Sequence, residues 1–293
     1  MAVDVNIRKN LQRFAALMGW NRASYTLISA FILIIFLIIY IWWPLAEEYL
    51  ALIDWHGPWW LMIDWLLFGI FGFMSLLIMA GADLRVDALI IFVGFVGGLV
   101  IESWGTQTEI WSYYTAERPP LWIIPAWPIA SLAIDRMVRF LRRWFMRSKK
   151  QDLTPNRNMI RGKVLLPSWV FTVIYWLIFP FFYALMVSFV WATIDKSLTV
   201  MALVLVAFMI FTPTNHRLAV LTFLAGSGLG YFLELWGTTR LCWTYYTQET
   251  PPIFAVFAHG MAAVAFWRTA LVVDLLGRSL FGLKLIKPKS PLQ

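Results

Sequence analysis

The segment Glu102 to Pro120 occurs twice in this chain, and that repeat constrains the fold more than any other feature. At a shift of 132 residues it lies over Glu234 to Pro252 without a gap, with eleven of nineteen positions identical. The shared residues spell Glu-x-Trp-Gly-Thr, then Trp-x-Tyr-Tyr-Thr, then a Glu and a Pro-Pro pair: Glu102/Glu234, Trp104/Trp236, Gly105/Gly237, Thr106/Thr238, Trp111/Trp243, Tyr113/Tyr245 and Tyr114/Tyr246 among them. Arg85/Arg217, Gly94/Gly226, Gly98/Gly230 and Arg136/Arg268 keep the same register, so each copy covers at least two helices and the loop between them.

The solvent follows from composition. Hydrophobic residues make up 61% of the 293 and charged residues 14%, well below the quarter typical of a soluble domain. Eight apolar segments are long enough to be read as membrane crossings: 25 to 45, 59 to 80, 86 to 104, 120 to 140, 165 to 190, 197 to 214, 217 to 236 and 252 to 275. The expected fold is therefore all-α, a polytopic membrane protein of about eight transmembrane helices. It divides into a first four-helix repeat over 1 to 140, a basic linker over 141 to 163 and a second four-helix repeat over 164 to 293. One repeat contains four crossings, an even number, so the two copies share an orientation and both motif loops meet at one mouth.

Charge sets the direction. Under this topology the N-terminus, the 81 to 87 turn, the linker, the 213 to 217 turn and the C-terminus carry eighteen Lys or Arg, and the opposite loops only Arg118, Lys196 and Arg240. The positive-inside rule then places both termini in the cytoplasm and the motif loops outside, in a multi-pass protein of the cell (inner) membrane. The linker, with eight basic residues and the single acid Asp152, reads as a topology-setting loop on anionic headgroups. The net charge of +8 is this pattern and not a nucleic-acid footprint. A lone cysteine, Cys242, allows no internal disulfide, and three scattered histidines build no metal cluster. No phosphate loop, zinc-protease motif or serine-hydrolase elbow is present.

Glu102 and Glu234 are the candidate catalytic residues. A carboxyl at the membrane boundary is expensive to keep ionised in low dielectric, which makes it a candidate proton donor. Aromatic faces stabilise a cation formed by protonating a double bond, and Trp104, Trp236, Trp111, Trp243, Tyr113, Tyr114, Tyr245 and Tyr246 supply them. Thr106, Thr238 and the tyrosine hydroxyls are candidates to position water. The alternative is structural: each Glu accepts hydrogen bonds from Trp and Thr and staples its loop, while the aromatics form an interfacial belt. The glycines Gly94, Gly97, Gly98, Gly226, Gly228 and Gly230 are read first as a close-packing face.

Divergence between copies marks where a pseudo-symmetric pocket has specialised. Thr108-Glu109 becomes Arg240-Leu241, Trp127-Pro128 becomes His259-Gly260, and Asp135 becomes Trp267. His259 is a candidate base, a Glu partner or a packing residue. Asp64, inside the apolar run GPWWLMIDWLLFGIF, is the third candidate acid, whereas Asp83 and Asp87 beside Arg85 read as solvated ion pairs.

The stretch from Glu102 through SWGTQTEIWSYYTAERPP to Leu121-WIIPAW resembles the integral-membrane carotenoid and bacterioruberin hydratases, with their Glu, Gly-x-x-Thr-Gly, Tyr-x-Tyr and following Pro. It is also similar to the lycopene cyclase domain. The resemblance spans about 35 residues in each half and implies protonation of a polyene without a redox cofactor, followed by water capture or ring closure. The Thr-Gly of the hydratase pattern reads Thr108-Glu109 and Arg240-Leu241 here. The Pro-x-Glu-Glu of the cyclases reads Pro125-Ala126-Trp127-Pro128, which favours hydration over ring closure. The implied partner is a hydrophobic isoprenoid or lipid, no cofactor is implied, and nucleic acid is not expected. Two rivals remain: a non-catalytic subunit that docks a partner protein, pigment or lipid through its aromatic loops, and a transporter with parallel halves.

Overall fold

The computed structural model describes residues 2–145 and 166–281. The 141–163 linker falls largely outside them, and residues 141–145 close a helix. Ten α-helices and two short strands follow one another among the described residues: α1 Ala2–Leu17, α2 Arg22–Ile41, α3 Trp43–Ala51, α4 Trp65–Met79, α5 Leu84–Gln107, β1 Trp111–Tyr113, α6 Ala126–Phe145, α7 Ser168–Val190, α8 Ser197–Phe211, α9 His216–Thr239, β2 Trp243–Tyr245 and α10 Ile253–Phe281. The chain is all-α apart from that two-stranded ribbon. Shifting α4, α5 and β1 by 132 residues reproduces the bounds of α8, α9 and β2 without an offset.

Five helical segments are long and apolar enough to cross a membrane: α2, α5, α7 with its following turn to Thr193, α9 and α10. The other three expected crossings are helical but differ. Helices α4 and α8 have 15 residues each, about 22 Å of rise against a hydrocarbon core of about 30 Å. Helix α6 begins at Ala126 and carries Asp135, Arg136, Arg139, Arg142 and Arg143. Expected to start at 59, the second apolar run instead forms a 3₁₀ turn at Trp59–Leu61 and becomes α-helical only after Asp64, whose carboxylate accepts the Leu67 N–H as an N-cap.

At the centre, α5 packs on α6 and α9 on α10, while α6 also meets α9 and α10 meets α5. Helix α2 flanks α4, and α7 flanks α8 and α9. The glycines explain how close these helices come. A Cβ on Gly98 would lie 2.4 Å from the Trp127 ring, and one on Gly230 2.5 Å from His259. Gly94 faces Pro128 in the same way, Gly97 faces Phe266, and Gly226 faces the His259 carbonyl. Gly228 meets nothing within 4 Å.

Asp87 departs from its expected solvated setting. The first turn of α5 packs on α6, leaving Asp87 fully buried with its carboxylate 2.8 Å from the Arg136 guanidinium. Arg136 also bonds Asp135 at 2.6 Å, and Arg139 reaches Asp135 at 2.7 Å. Asp83 caps α5 by accepting the Arg85 N–H.

Candidate functional site

Each repeated glutamate sits in a cage of three donors. Glu102, 3% exposed, accepts Trp111 Nε1–H at 3.0 Å on Oε2, and Tyr113 O–H at 2.9 Å and Trp127 Nε1–H at 3.0 Å on Oε1. Glu234, equally buried, accepts Trp243 Nε1–H at 2.9 Å on Oε2 and Tyr245 O–H at 2.9 Å on Oε1, and its Oε1 lies 2.8 Å from His259 Nε2. Burial first, then the adjacent Glu102 carboxylate, holds the Tyr113 hydroxyl well above the ordinary phenol range. Burial and Glu234 do the same for Tyr245. Both phenols are therefore neutral donors.

The motif spacing builds this cage. Trp111 reaches back to Glu102 by crossing directly over Gly105, where a Cβ would lie 1.9 Å from the indole; Trp243 crosses Gly237 with a corresponding 2.0 Å. Helices α5 and α9 then end in matching left-handed caps. Glu109 has φ 62° and Leu241 φ 55°. The Ile110 N–H returns to the Gly105 carbonyl and the Cys242 N–H to Gly237, both at 2.9 Å.

The two motif loops join at the mouth. Strands β1 and β2 pair antiparallel with Ser112 opposite Thr244, Trp111 opposite Tyr245 and Tyr113 opposite Trp243. Tyr114 N–H donates to the Cys242 carbonyl at 3.3 Å and Tyr246 N–H to the Ile110 carbonyl at 3.0 Å, a reciprocal exchange. Burial pushes the Cys242 thiol up to about 12, which leaves it protonated at neutral pH.

No protein-family model, no curated protein and no solved structure matches this chain. The functional reading therefore rests on its own geometry.

The remaining sequence candidates divide by role. Thr106 and Thr238 donate at 2.6 Å to the carbonyls of Glu102 and Glu234 one turn back, so their hydrogens are committed to the helix. Tyr114 O–H donates to the Ile41 carbonyl and Tyr246 O–H to the Phe189 carbonyl, tying each loop to a neighbouring helix end. Trp104 reaches Thr199 Oγ1 at 3.4 Å, and Trp236 donates to Asp64 at 2.8 Å. Asp64 also pairs with Arg240 at 3.0 Å, so it links α4 to the end of α9 and stands apart from the glutamate cages. Among the described residues no group of three or more His, Cys, Asp or Glu converges as a metal site.

Below the cages lies an apolar cavity of about 60 Å³, open on one side, between α5, α6, α9 and α10. Ile90, Val93, Ala130, Ile134, Ala263 and Phe266 line it, together with Trp127 and His259. The Trp127 and His259 rings stack with centroids 5.7 Å apart and planes at 20°. Each bonds its own glutamate, so this pair connects the cavity to both cages. Trp127 was not among the candidate site residues. The signal that could have found it is the repeat register, which sets it at the position of His259. Asp135 also lines the cavity, held there by Arg136 and Arg139.

Proposed function

We propose that this chain is an eight-crossing protein of the cell (inner) membrane, with cytoplasmic termini and two parallel four-helix units, that holds a long isoprenoid or carotenoid chain between the units and hydrates one of its double bonds. The observation that carries this reading is the apolar cavity bounded by Trp127 and His259, each hydrogen-bonded to a duplicated buried glutamate. An apolar lining with a few convergent polar groups is what a hydrophobic ligand needs to bind and be oriented.

The chemistry asks little beyond these parts. A proton added to one alkene carbon draws the π pair into a new C–H bond and leaves a cation on the more substituted carbon. An indole face stabilises that cation through its quadrupole. Water donates a lone pair to the cationic carbon, and its surplus proton returns to the Glu and His groups. The sum is alkene plus water to alcohol, with no redox change. The two glutamate cages supply the acid and its partner here.

A second reading has an observation of its own. Both glutamates already meet three hydrogen-bonding side chains, an arrangement that fixes the aromatic loops, as a non-catalytic subunit docking a partner would require. Purification in mild detergent, with a visible absorption spectrum and mass spectrometry of the organic extract, separates the two. A bound polyene, with product formation lost in Glu102→Gln or Glu234→Gln, supports the hydratase reading. Bulk phospholipid alone, with stoichiometric partner proteins, overturns it in favour of the subunit.

A further inference from the structure

Both halves build the same cage, but its third wall differs, and the difference is one of proton chemistry. Around Glu102 the donors are Trp111, Tyr113 and Trp127. An indole N–H is a donor only and does not titrate, and the Tyr113 hydroxyl is held well above the phenol range. None of these three donors takes up or releases a proton near neutrality, and both oxygens of the glutamate are engaged. Around Glu234 the third wall is His259, the one side chain type whose ordinary titration falls between about pH 5 and pH 8. Its Nε2 lies 2.8 Å from Glu234 Oε1 and its side chain keeps 19% exposure, against 4% for Glu234.

We infer that the two halves have divided the work: Glu234 and His259 form the pair that exchanges a proton with a ligand in the cavity, while Glu102 holds Trp127 as a fixed aromatic face against it. This rests on the proposed hydration reading and names the group that performs it. His259 lines the cavity and meets the ligand, making it the catalytic residue. Glu234 acts through His259 and is a positioning residue, and Glu102 anchors the Trp127 indole. The stacking of Trp127 on His259 sets the cation-stabilising face beside the proton source, so the double bond attacked is the one that lies against this ring pair.

Other charged and titratable groups near the pair are few. Tyr245 on β2 bonds Glu234 directly; Tyr113 on β1 and Glu102 on α5 act on Glu234 electrostatically. Asp64 on α4 pairs with Arg240 at the end of α9. Helix α6 brings Asp135 and Arg136, bound to one another. Tyr175 on α7 donates to the Ile210 carbonyl.

The chain has three histidines, His56, His216 and His259, so ¹³C-histidine labelling of the full protein in detergent gives a resolvable titration. His259 is identified by the loss of one signal in His259→Trp, the substitution that copies the first half. The expected result is a His259 midpoint that moves by about one pH unit or more in Glu234→Gln and stays in place in Glu102→Gln. A His259 that does not titrate, or that moves equally in both variants, overturns the inference. On any polyene recovered with the protein, His259→Trp should lower turnover by about 100-fold or more while the bound chromophore is retained. Unchanged turnover in His259→Trp overturns it too, and so does loss of turnover confined to Glu102→Gln. Should Glu234→Gln not fold, Glu234→Asp, which keeps the carboxyl and draws it back from Nε2, must move the His259 midpoint, and an unmoved midpoint overturns the inference. Recovery of no isoprenoid overturns the functional reading alone, since the titration does not depend on it.

Discussion

The two halves agree in the Trp and Tyr walls of their glutamate cages and differ at the third wall and in the polar contacts at the far ends of the same helices. Trp111 and Trp243 reach their carboxylates at 3.0 and 2.9 Å, and Tyr113 and Tyr245 both at 2.9 Å. Nearer the inner helix ends the likeness stops. Arg136 is buried between Asp87 and Asp135. Its counterpart Arg268 has Ala219 and Trp267 at the matching positions and bonds the Met209 carbonyl and Thr212 Oγ1 instead. The Trp and Tyr that hold each loop onto its own helix and pair across the ribbon are the same in both halves, whereas the polar partners of Arg136 and Arg268 inside each half have changed.

The sharpest way to break that comparison is to remove both arginines in turn. Arg136→Met strands the buried Asp87 carboxylate and leaves Asp135 with Arg139 alone, and should destabilise the protein by about 3–5 kcal/mol. Arg268→Met removes bonds to a carbonyl and a hydroxyl at a partly exposed site, and about 1.5 kcal/mol is expected. Thermal unfolding in detergent compares them; equal losses would show that the ion cluster is not specific to the first half. The cage itself should respond alike in both halves. Gly105→Ala and Gly237→Ala each drive a methyl into an indole, an overpacking worth about 1–3 kcal/mol, and a large difference between the two would mean that only one Trp crossing is tight.

How far these features were legible in the sequence depends on the range of the contact. The repeat, the helical segments and the meeting of the two motif loops needed only periodicity and an even count of crossings. The Glu–Trp bonds belong to one of the two sequence readings, but the hydroxyl beside them is that of Tyr113 or Tyr245 and not the expected threonine, because a residue 11 positions on along the tight loop returns to the same helix face. Thr106 and Thr238 were read as water ligands, yet a threonine inside a helix has the carbonyl one turn back within reach, and both use it. Asp87 looked solvated because its sequence neighbours are charged; its partner Arg136 is 49 residues away and only helix packing brings them together. Trp127 and His259 were visible as a divergent pair in register, but their stacking is a contact between halves that no local pattern encodes.

A smaller effect tests the caps. Glu109 and Leu241 hold left-handed conformations that cost a non-glycine residue roughly 1–2 kcal/mol. Leu241→Gly should therefore stabilise the protein by about 1 kcal/mol, measured as a rise in unfolding temperature. Glu109→Gly should gain slightly less, because it gives up the exposed pairs with Arg118 and Lys196. A loss in either would mean that the side chain contributes more at the mouth than its backbone strain removes.

The smallest expected effect concerns the outer contacts between halves, and here the divergence has a direction. Asp64 at the start of α4 meets Arg240 at the end of α9, and at the matching contact Lys196 at the start of α8 meets the Thr108 carbonyl at 3.0 Å and Glu109 at 3.9 Å. The polarity is reversed between the two. If two first halves paired, Asp64 would face Thr108 and Glu109; if two second halves paired, Lys196 would face Arg240. Only the pairing of unlike halves puts opposite charges together, so the pattern specifies that pairing by penalising the alternatives. The Asp64–Arg240 contact is partly exposed and worth about 1 kcal/mol or less. A double-mutant cycle on Asp64→Lys and Arg240→Asp should show coupling of a few tenths of a kcal/mol to about 1 kcal/mol that shrinks with added salt. Coupling that salt does not change would assign the contact to packing, and the reversed polarity would then carry no pairing information.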